Sequence, residues 1–399
     1  MKRIVLAYSG GLDRSIAIVW LAERFGAEIV TLTLDLGQDR ELVDVRERAL
    51  ALGAVRAHVV DAREEFVREY VLPALQAGAI SEAGDPLATR LARPLIAKRL
   101  VEIARMEGVD RVATGCALES DDEVRLRLLA QAVDPSVEVI APTALAGLSP
   151  NDRIEYAAAH GIPVLAAAFR PAAEQPARSG SGHDSPQNPG GMFKADANLW
   201  GRVVECGSAG DAWTEPTEEL YSLTRAPQDS PDEPAYVEIE FNAGVPVRAN
   251  GIEMPLLELI ESFDTIAGAH GVGRVDTIAT RLTGTRSRAI VEAPAATILH
   301  TAHRELRALV VPRDLDRLST DLGRRYADLV DHGHWFSWTR QAIDAFAATI
   351  QPRVTGVVRL RLFKGDCRVV GRKSAYSHEE QTSIRSNLAS RTAEEPTRG

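Results

Sequence analysis

The chain has 399 residues, 45% hydrophobic and 26% charged, with a formal net charge of −10. That length predicts two domains, or one large domain with a smaller one appended, and room for a substantial core. The acidic balance, with no basic stripe, argues against a nucleic-acid binder, and no apolar stretch approaches the ~20 residues needed to cross a bilayer.

Residues 3–7 form a continuous apolar, β-prone run that Ser9-Gly10-Gly11 breaks; from 12 to 25, Ile16, Ile18, Val19 and Leu21 suit a helix. Strands are predicted at 28–34 and 57–60 with a helix at 40–52 between them. A helix at 95–107, strands at 111–114 and 137–140, a helix at 151–160 and a strand at 163–167 follow. Short strands alternating with helices predict a parallel sheet covered on both faces. Residues 171–191 are rich in Pro, Gly, Ser, Gln and Asn, a composition for a disordered insert or for a lid that orders on binding. Beyond it the pattern becomes α+β. A solvated strand at 236–241 meets a Gly244-Val245-Pro246 turn, helices are predicted at 256–270 and 295–309, and 353–363 with 367–370 read as a hairpin around Lys364-Gly365-Asp366. From His378 the polar end reads as a frayed tail.

Cys116, Cys206 and Cys367 are far apart and form no CxxC pair. They read as reduced thiols of a cytoplasmic protein, without the close spacing of a zinc site. The N-terminal apolar run is too short for a signal peptide.

The sharpest local signal is Ala7-Tyr8-Ser9-Gly10-Gly11-Leu12-Asp13-Arg14-Ser15, set between the first strand and first helix. Glycines there let backbone approach an anion, and free N–H groups with the Ser9 and Ser15 hydroxyls can cradle phosphate oxygens. Two glycines alone would also suit a plain tight turn. No Gly-Lys-Ser/Thr occurs anywhere, so this is not a Walker loop. Ser-Gly-Gly-x-Asp-x-Ser in this position resembles the pyrophosphate loop of ATP pyrophosphatases, which split ATP between its α and β phosphates.

Further segments narrow the match: Leu34-Asp35-Leu36-Gly37-Gln38, Leu91-Ala92-Arg93-Pro94, Asn198-Leu199-Trp200-Gly201-Arg202, Gly271-Val272-Gly273-Arg274, Trp335-Phe336-Ser337, Arg353-Val354-Thr355-Gly356 and Val370-Gly371-Arg372-Lys373-Ser374. In order and spacing, from Lys2 to Ser377, they resemble the argininosuccinate synthase family. The resemblance implies an α/β, adenine nucleotide alpha hydrolase-like domain with a parallel sheet (1–168), a flexible insert (169–192), an α+β synthetase and multimerisation domain (193–376) and a C-terminal tail or arm (377–399). It implies an ATP-dependent C–N ligase, usually a homotetramer acting on small amino-acid-like substrates, that adenylates the ureido oxygen of citrulline, releases pyrophosphate, and lets aspartate displace AMP. It places ATP, with Mg2+ bridging its phosphates, on Ala7, Tyr8, Ser9, Gly10, Gly11, Leu12, Asp13, Ser15, Leu34, Gln38 and Gly115. It places substrate on Asp85, Thr89, Arg90, Ala117, Asp121, Asp122, Arg125 and Lys194. No protein metal site and no general base is implied.

Several of these positions depart from the family pattern. The family's tyrosine is Asp85 and its citrulline-contacting serine is Arg90. Its aspartate-binding threonine is Ala117, its lysine Glu119 and its asparagine Asp121. Two citrulline-contacting serines align with Lys194 and Val203, and a glutamate and a tyrosine with Ala279 and Val291. Loss of matched polar partners can reject a substrate by orders of magnitude, so altered specificity is the expectation. A genuine argininosuccinate synthase and an inactive ATP-binding paralogue are the alternatives, and sulfur transfer to RNA through Cys116 fits the acidic charge poorly. Arg90, Lys194 and Arg202 read either as a cationic patch for an acid or as solvated charges. Asp121 and Asp122 could hold magnesium or an amine, with a solvated acidic run the alternative reading, chiefly for Asp121. Arg14, where the family has threonine, either adds charge to the phosphate site or points outward.

Overall fold

Alternation along the first two strands decides where the first sheet packs. Val5, Ala7, Val30, Leu32 and Leu34 face one apolar cluster, while Ile4, Leu6 and Ile29 face another, as a period of two requires. The computed structural model describes residues 2–38, 42–116, 121–142, 150–163, 194–206, 212–282 and 284–378. The first half contains β1 (Arg3–Ala7), α1 (Leu12–Phe25), β2 (Glu28–Asp35), α2 (Leu42–Ala51), β3 (Arg56–Asp61), α3 (Arg63–Phe66), α4 (Leu72–Ala77), α5 (Ala92–Met106), β4 (Arg111–Ala113), α6 (Asp121–Val133), β5 (Glu138–Ile140) and α7 (Pro150–Ala159). The strands pair in parallel in the order β3-β2-β1-β4-β5. α1 and α2 cover one face through Ile18, Leu21 and Val45, and α5 the other through Leu95, Leu100 and Val101. The chain winds one way from β1 to β3, then crosses to the opposite side for β4 and β5. A crevice therefore opens between the C-terminal ends of β1 and β4, the usual ligand position in open α/β sheets.

The second half contains β6 (Lys194–Asn198), β7 (Gly201–Glu205), β8 (Ala235–Asn242), β9 (Val245–Ala249), β10 (Ile252–Glu253), α8 (Leu256–Ala269), β11 (Arg274–Thr280), β12 (Arg286–Glu292), α9 (Pro294–Val310), α10 (Arg313–Asp331), α11 (Trp338–Ile350), β13 (Gly356–Phe363) and β14 (Asp366–Lys373). Two antiparallel sheets result, β10-β9-β8-β13-β14 and β11-β12-β7-β6. The predicted turn at 244–246 is shifted: Ala243 and Gly244 take the left-handed backbone, and Val245 and Pro246 already belong to β9. Pro246 is tolerated there because the β8–β9 register shifts between Glu240 and Phe241. The second hairpin turns on Lys364-Gly365 alone, both left-handed, so Asp366 opens β14, which runs on to Lys373 rather than ending at 370. The predicted strand at 163–167 and the insert at 171–191 fall outside the described residues, apart from Pro163, which is in no strand.

The Asn198-Leu199-Trp200-Gly201 segment locks the halves together. Leu199 N–H donates to Leu36 at 2.8 Å, the Asn198 amide to Ala88 at 3.1 Å, and Trp200 Nε1 to Pro86 at 3.0 Å. Gly37 is obligatory at this junction: its φ is 79°, and a Cβ there would lie 2.3 Å from Leu199. Nearby, wholly buried Glu292 accepts from the N–H groups of Ser222, Leu223 and Thr224 and pairs with Arg202 at 2.9 Å. A buried carboxylate survives only when it is paired and hydrogen-bonded in this way.

Candidate active site

The phosphate loop lies where β1 ends and α1 begins. Gly10 has φ 77°, and Gly11 precedes α1 with extended backbone and no side-chain cap. The first N–H groups of α1 therefore keep no intrahelical partner, which suits an anion. Tyr8 and Ser15 are buried and their hydroxyls meet at 3.1 Å. Burial pushes the Tyr8 phenol up, against the Ser15 hydrogen bond and the charge of Arg48. Arg48, from α2, donates to the Gly10 carbonyl at 2.9 Å. Leu12 packs into a small apolar cluster with Ile16 and Ala157, and Asp13 pairs with Arg153 of α7 at 3.0 Å. These two side chains brace the loop.

Gly115, just beyond β4, closes the other side of the crevice. Its φ is 63°, and a Cβ would lie 2.9 Å from both the Ala7 carbonyl and Arg14 Cγ. Gly115 and the phosphate loop thus form one wall-to-wall contact. Gln38 folds back on its own turn, donating to Leu34 O at 2.6 Å and accepting from Leu36 N at 2.8 Å. Leu34 and Gln38 so flank the loop at the end of neighbouring β2.

A second cluster sits between α5, α6 and the β7–β12 sheet. It lines an open cleft with Thr89, Arg90, Arg93, Asp122, Arg125 and Asp196 among its walls. Arg93 forks onto Asp122 at 2.9 and 3.0 Å and also meets Asp196. Arg90 meets Asp85 at 2.5 Å and Asp331 at 2.9 Å. Arg125 donates to Asp331 Oδ1 at 2.9 Å and lies 3.6 Å from both Asp121 and Asp122. Burial works against the charges of Arg90 and Arg93, but the surrounding carboxylates outweigh it and hold both guanidiniums above their ordinary range.

The structure thus gathers Thr89, Arg90, Asp121, Asp122 and Arg125 into one cleft, with buried Asp85 held against Arg90. Ala117 falls outside the described residues; Lys194 opens β6 in the same sheet, and its side chain lies outside them too. Arg90 and Arg202 are neither part of an unpaired cationic patch nor solvated charges: both are largely buried, Arg90 paired with Asp85 and Asp331, and Arg202 with Glu292. The reading of Asp121 as a solvated run also fails, because its carboxylate accepts from Leu282 N at 3.1 Å. Sequence reasoning missed Asp196 and Asp331. Asp331 ends a helix without any local motif, whereas Arg93 stood in a recognised segment and could have been singled out. Among the described residues no group of three or more His, Cys, Asp or Glu is arranged to hold a metal ion, and no helix is long and apolar enough to cross a membrane.

Two family models match this chain: the arginosuccinate synthase N-terminal HUP domain over residues 3–163, and the arginosuccinate synthase C-terminal domain over 193–395. Argininosuccinate synthase of Symbiobacterium thermophilum is 45% identical over 377 residues, covering 94% of this chain and 89% of the relative. That of Bacillus thuringiensis is 43% identical over 376 residues, covering 94% and 88%. Among solved structures, NMN synthetase from Francisella tularensis covers 40% of this chain and 62% of its own at 16% identity and TM-score 0.27, a likeness too low to bear on fold or function.

Proposed function

The chain belongs to the argininosuccinate synthase family, as an ATP-dependent, AMP- and pyrophosphate-forming C–N ligase, and from this premise we propose that it joins citrulline to aspartate with the phosphate loop at 9–15 holding the nucleotide. The acceptor's ureido oxygen attacks the α-phosphorus and the bond to the β-phosphate breaks, releasing pyrophosphate. The amine nitrogen then attacks the activated carbon, AMP leaves with the oxygen, and the nitrogen gives up its proton.

The residues around the loop fit a triphosphate. The N–H groups that open α1 have no side-chain cap, and the absence of a side chain on Gly115 lets the far wall close on the Ala7 carbonyl. Such fixed donors stabilise the charge that develops on the departing pyrophosphate without reorganising. Magnesium is part of the proposal. It accompanies the phosphates, since Mg2+ keeps several waters and takes few protein ligands. The cleft beside the loop holds acceptor and amine in line, which is the main task of a site with no evident general base. A cytoplasmic homotetramer completes the reading, and light scattering of the purified chain tests the assembly. The observation that carries the proposal is identity of 43–45% over 94% of the chain to argininosuccinate synthases.

One observation favours a second reading, in which the acceptor is not citrulline. Arg90 and Asp85 stand where the family offers serine and tyrosine, and they pair with each other, so the guanidinium that lines the cleft is held by a buried carboxylate. Val203 and Ala279 line the same cleft where the family offers polar partners. Pyrophosphate release from Mg-ATP decides between the readings. A clear increase on adding citrulline plus aspartate, with one AMP per pyrophosphate, supports argininosuccinate formation. ATP binding with no response to that pair favours the second reading, and a panel of other acids, amides and amines then identifies the acceptor.

A further inference from the structure

Arg14 stands at the third position of α1, and its side chain turns inward across the crevice rather than outward to solvent. Nη1 donates to Ser9 Oγ at 2.7 Å, and Nη2 lies 3.9 Å from Cys116 Sγ beyond β4. Its Cγ packs where a side chain on Gly115 would have to go. One residue therefore spans from the phosphate loop to the opposite wall, at the point where the sheet reverses its winding.

Its electrostatic surroundings differ from those of the arginines that line the cleft. Arg90, Arg93 and Arg125 each lie against two or more carboxylates. Among the described residues, no carboxylate lies within ion-pair distance of Arg14. The nearest acid along the chain, Asp13, is directed to Arg153. A guanidinium carries five N–H donors, and Ser9 and Cys116 take only part of that capacity. Behind the loop, Arg48 adds a second cation, also without an ion-pair partner among the described residues, on the Gly10 carbonyl. An oxyanion hydrogen-bonded to Ser9 at about 2.7 Å sits at most about 5.4 Å from Arg14 Nη1, within reach of a small side-chain rotation.

We propose that Arg14 is a phosphate clamp: it binds the β- and γ-phosphates of ATP, and the pyrophosphate that leaves, from across the crevice. Its planar fork matches two phosphate oxygens at once, as a threonine or a lone ammonium cannot. The charge favours the leaving group over AMP, because the β- and γ-phosphates carry more negative charge than the single phosphate that remains on the acceptor. The inference rests on the phosphate-loop reading and extends it to a residue that the family pattern lacks.

Calorimetric titration of the full-length chain with magnesium pyrophosphate and, separately, with AMP tests it, using the parent, Arg14→Ala and Arg14→Lys. The expected result is pyrophosphate binding weakened tenfold or more in Arg14→Ala, AMP binding changed less than twofold, partial recovery in Arg14→Lys, and an unchanged melting temperature. Pyrophosphate affinity within twofold of the parent in Arg14→Ala would overturn the clamp. So would equal loss for both ligands together with a lowered melting temperature, which marks a structural role. If the parent binds neither ligand, the phosphate-loop reading itself falls, and the clamp with it.

Discussion

The β1–α1 loop and the cleft between α5 and α6 handle positive charge in opposite ways. Around the loop, Arg14 and Arg48 reach hydroxyl, thiol and carbonyl partners. Around the cleft, Arg90, Arg93 and Arg125 are matched by Asp85, Asp121, Asp122, Asp196 and Asp331. The first arrangement leaves a positive field for an anion to neutralise. The second spends its field inside the protein, so what it contributes is rigid placement of polar atoms. A cation's role thus follows from which partners the fold brings to it.

The largest effect should come from the paired cluster. Arg93→Ala removes the fork on Asp122, which is 10% exposed and keeps Arg125 at 3.6 Å, so the loss of charged hydrogen bonds should cost about 3 kcal/mol; urea unfolding should show a midpoint lowered accordingly. If the midpoint barely moves, the contrast between the two regions is one of geometry only. Next comes the loop. Gly115→Ala places a Cβ 2.9 Å from the Ala7 carbonyl at a φ of 63°, which forces the wall away from the loop. Steady-state kinetics should show kcat/KM for ATP reduced about a hundredfold, equivalent to about 2.7 kcal/mol, with stability affected less than by Arg93→Ala.

A double-mutant cycle on Asp85→Asn and Arg90→Gln sharpens the comparison further. Both side chains are largely buried, so the coupling energy from denaturation should be about 2 kcal/mol. The equivalent cycle on Ser9→Ala and Arg14→Ala should give less than about 1 kcal/mol, as expected for a neutral hydroxyl.

The smallest effect separates the cleft from the background. His300 and His303 of α9 are buried, and burial depresses them to about 3 and about 4. The unfolded chain, titrating near 6.5, binds more protons than the native state below that pH. Their stabilisation is therefore complete above about 6.5 and is lost progressively as pH falls toward 4. Between pH 7 and 5.5 the share of His300 is about 1 kcal/mol. Melting temperatures over that range should fall less steeply in His300→Phe than in the parent, whereas Arg14→Ala should track the parent.

The sequence by itself determined the glycine turn between β1 and α1, the parallel first half and the family. Those signals are local: glycines at forced backbone positions, a period of two switching to 3.6, and short motifs in fixed order. It also located α8, α9 and the last hairpin, but not α10 or α11. The boundaries of the turn at Ala243-Gly244 escaped because Pro246 reads as a breaker until a register shift accommodates it. Only the tertiary structure decided which arginines are spent and which are kept. Arg125 and Asp331 stand 206 residues apart, and Arg93 and Asp196 stand 103 apart. Arg14 likewise turns inward because β4 lies beside β1 and brings Gly115 and Cys116 to the loop. A side chain's charge is written in the sequence; whether that charge meets a carboxylate depends on which distant segments the sheet order places beside it.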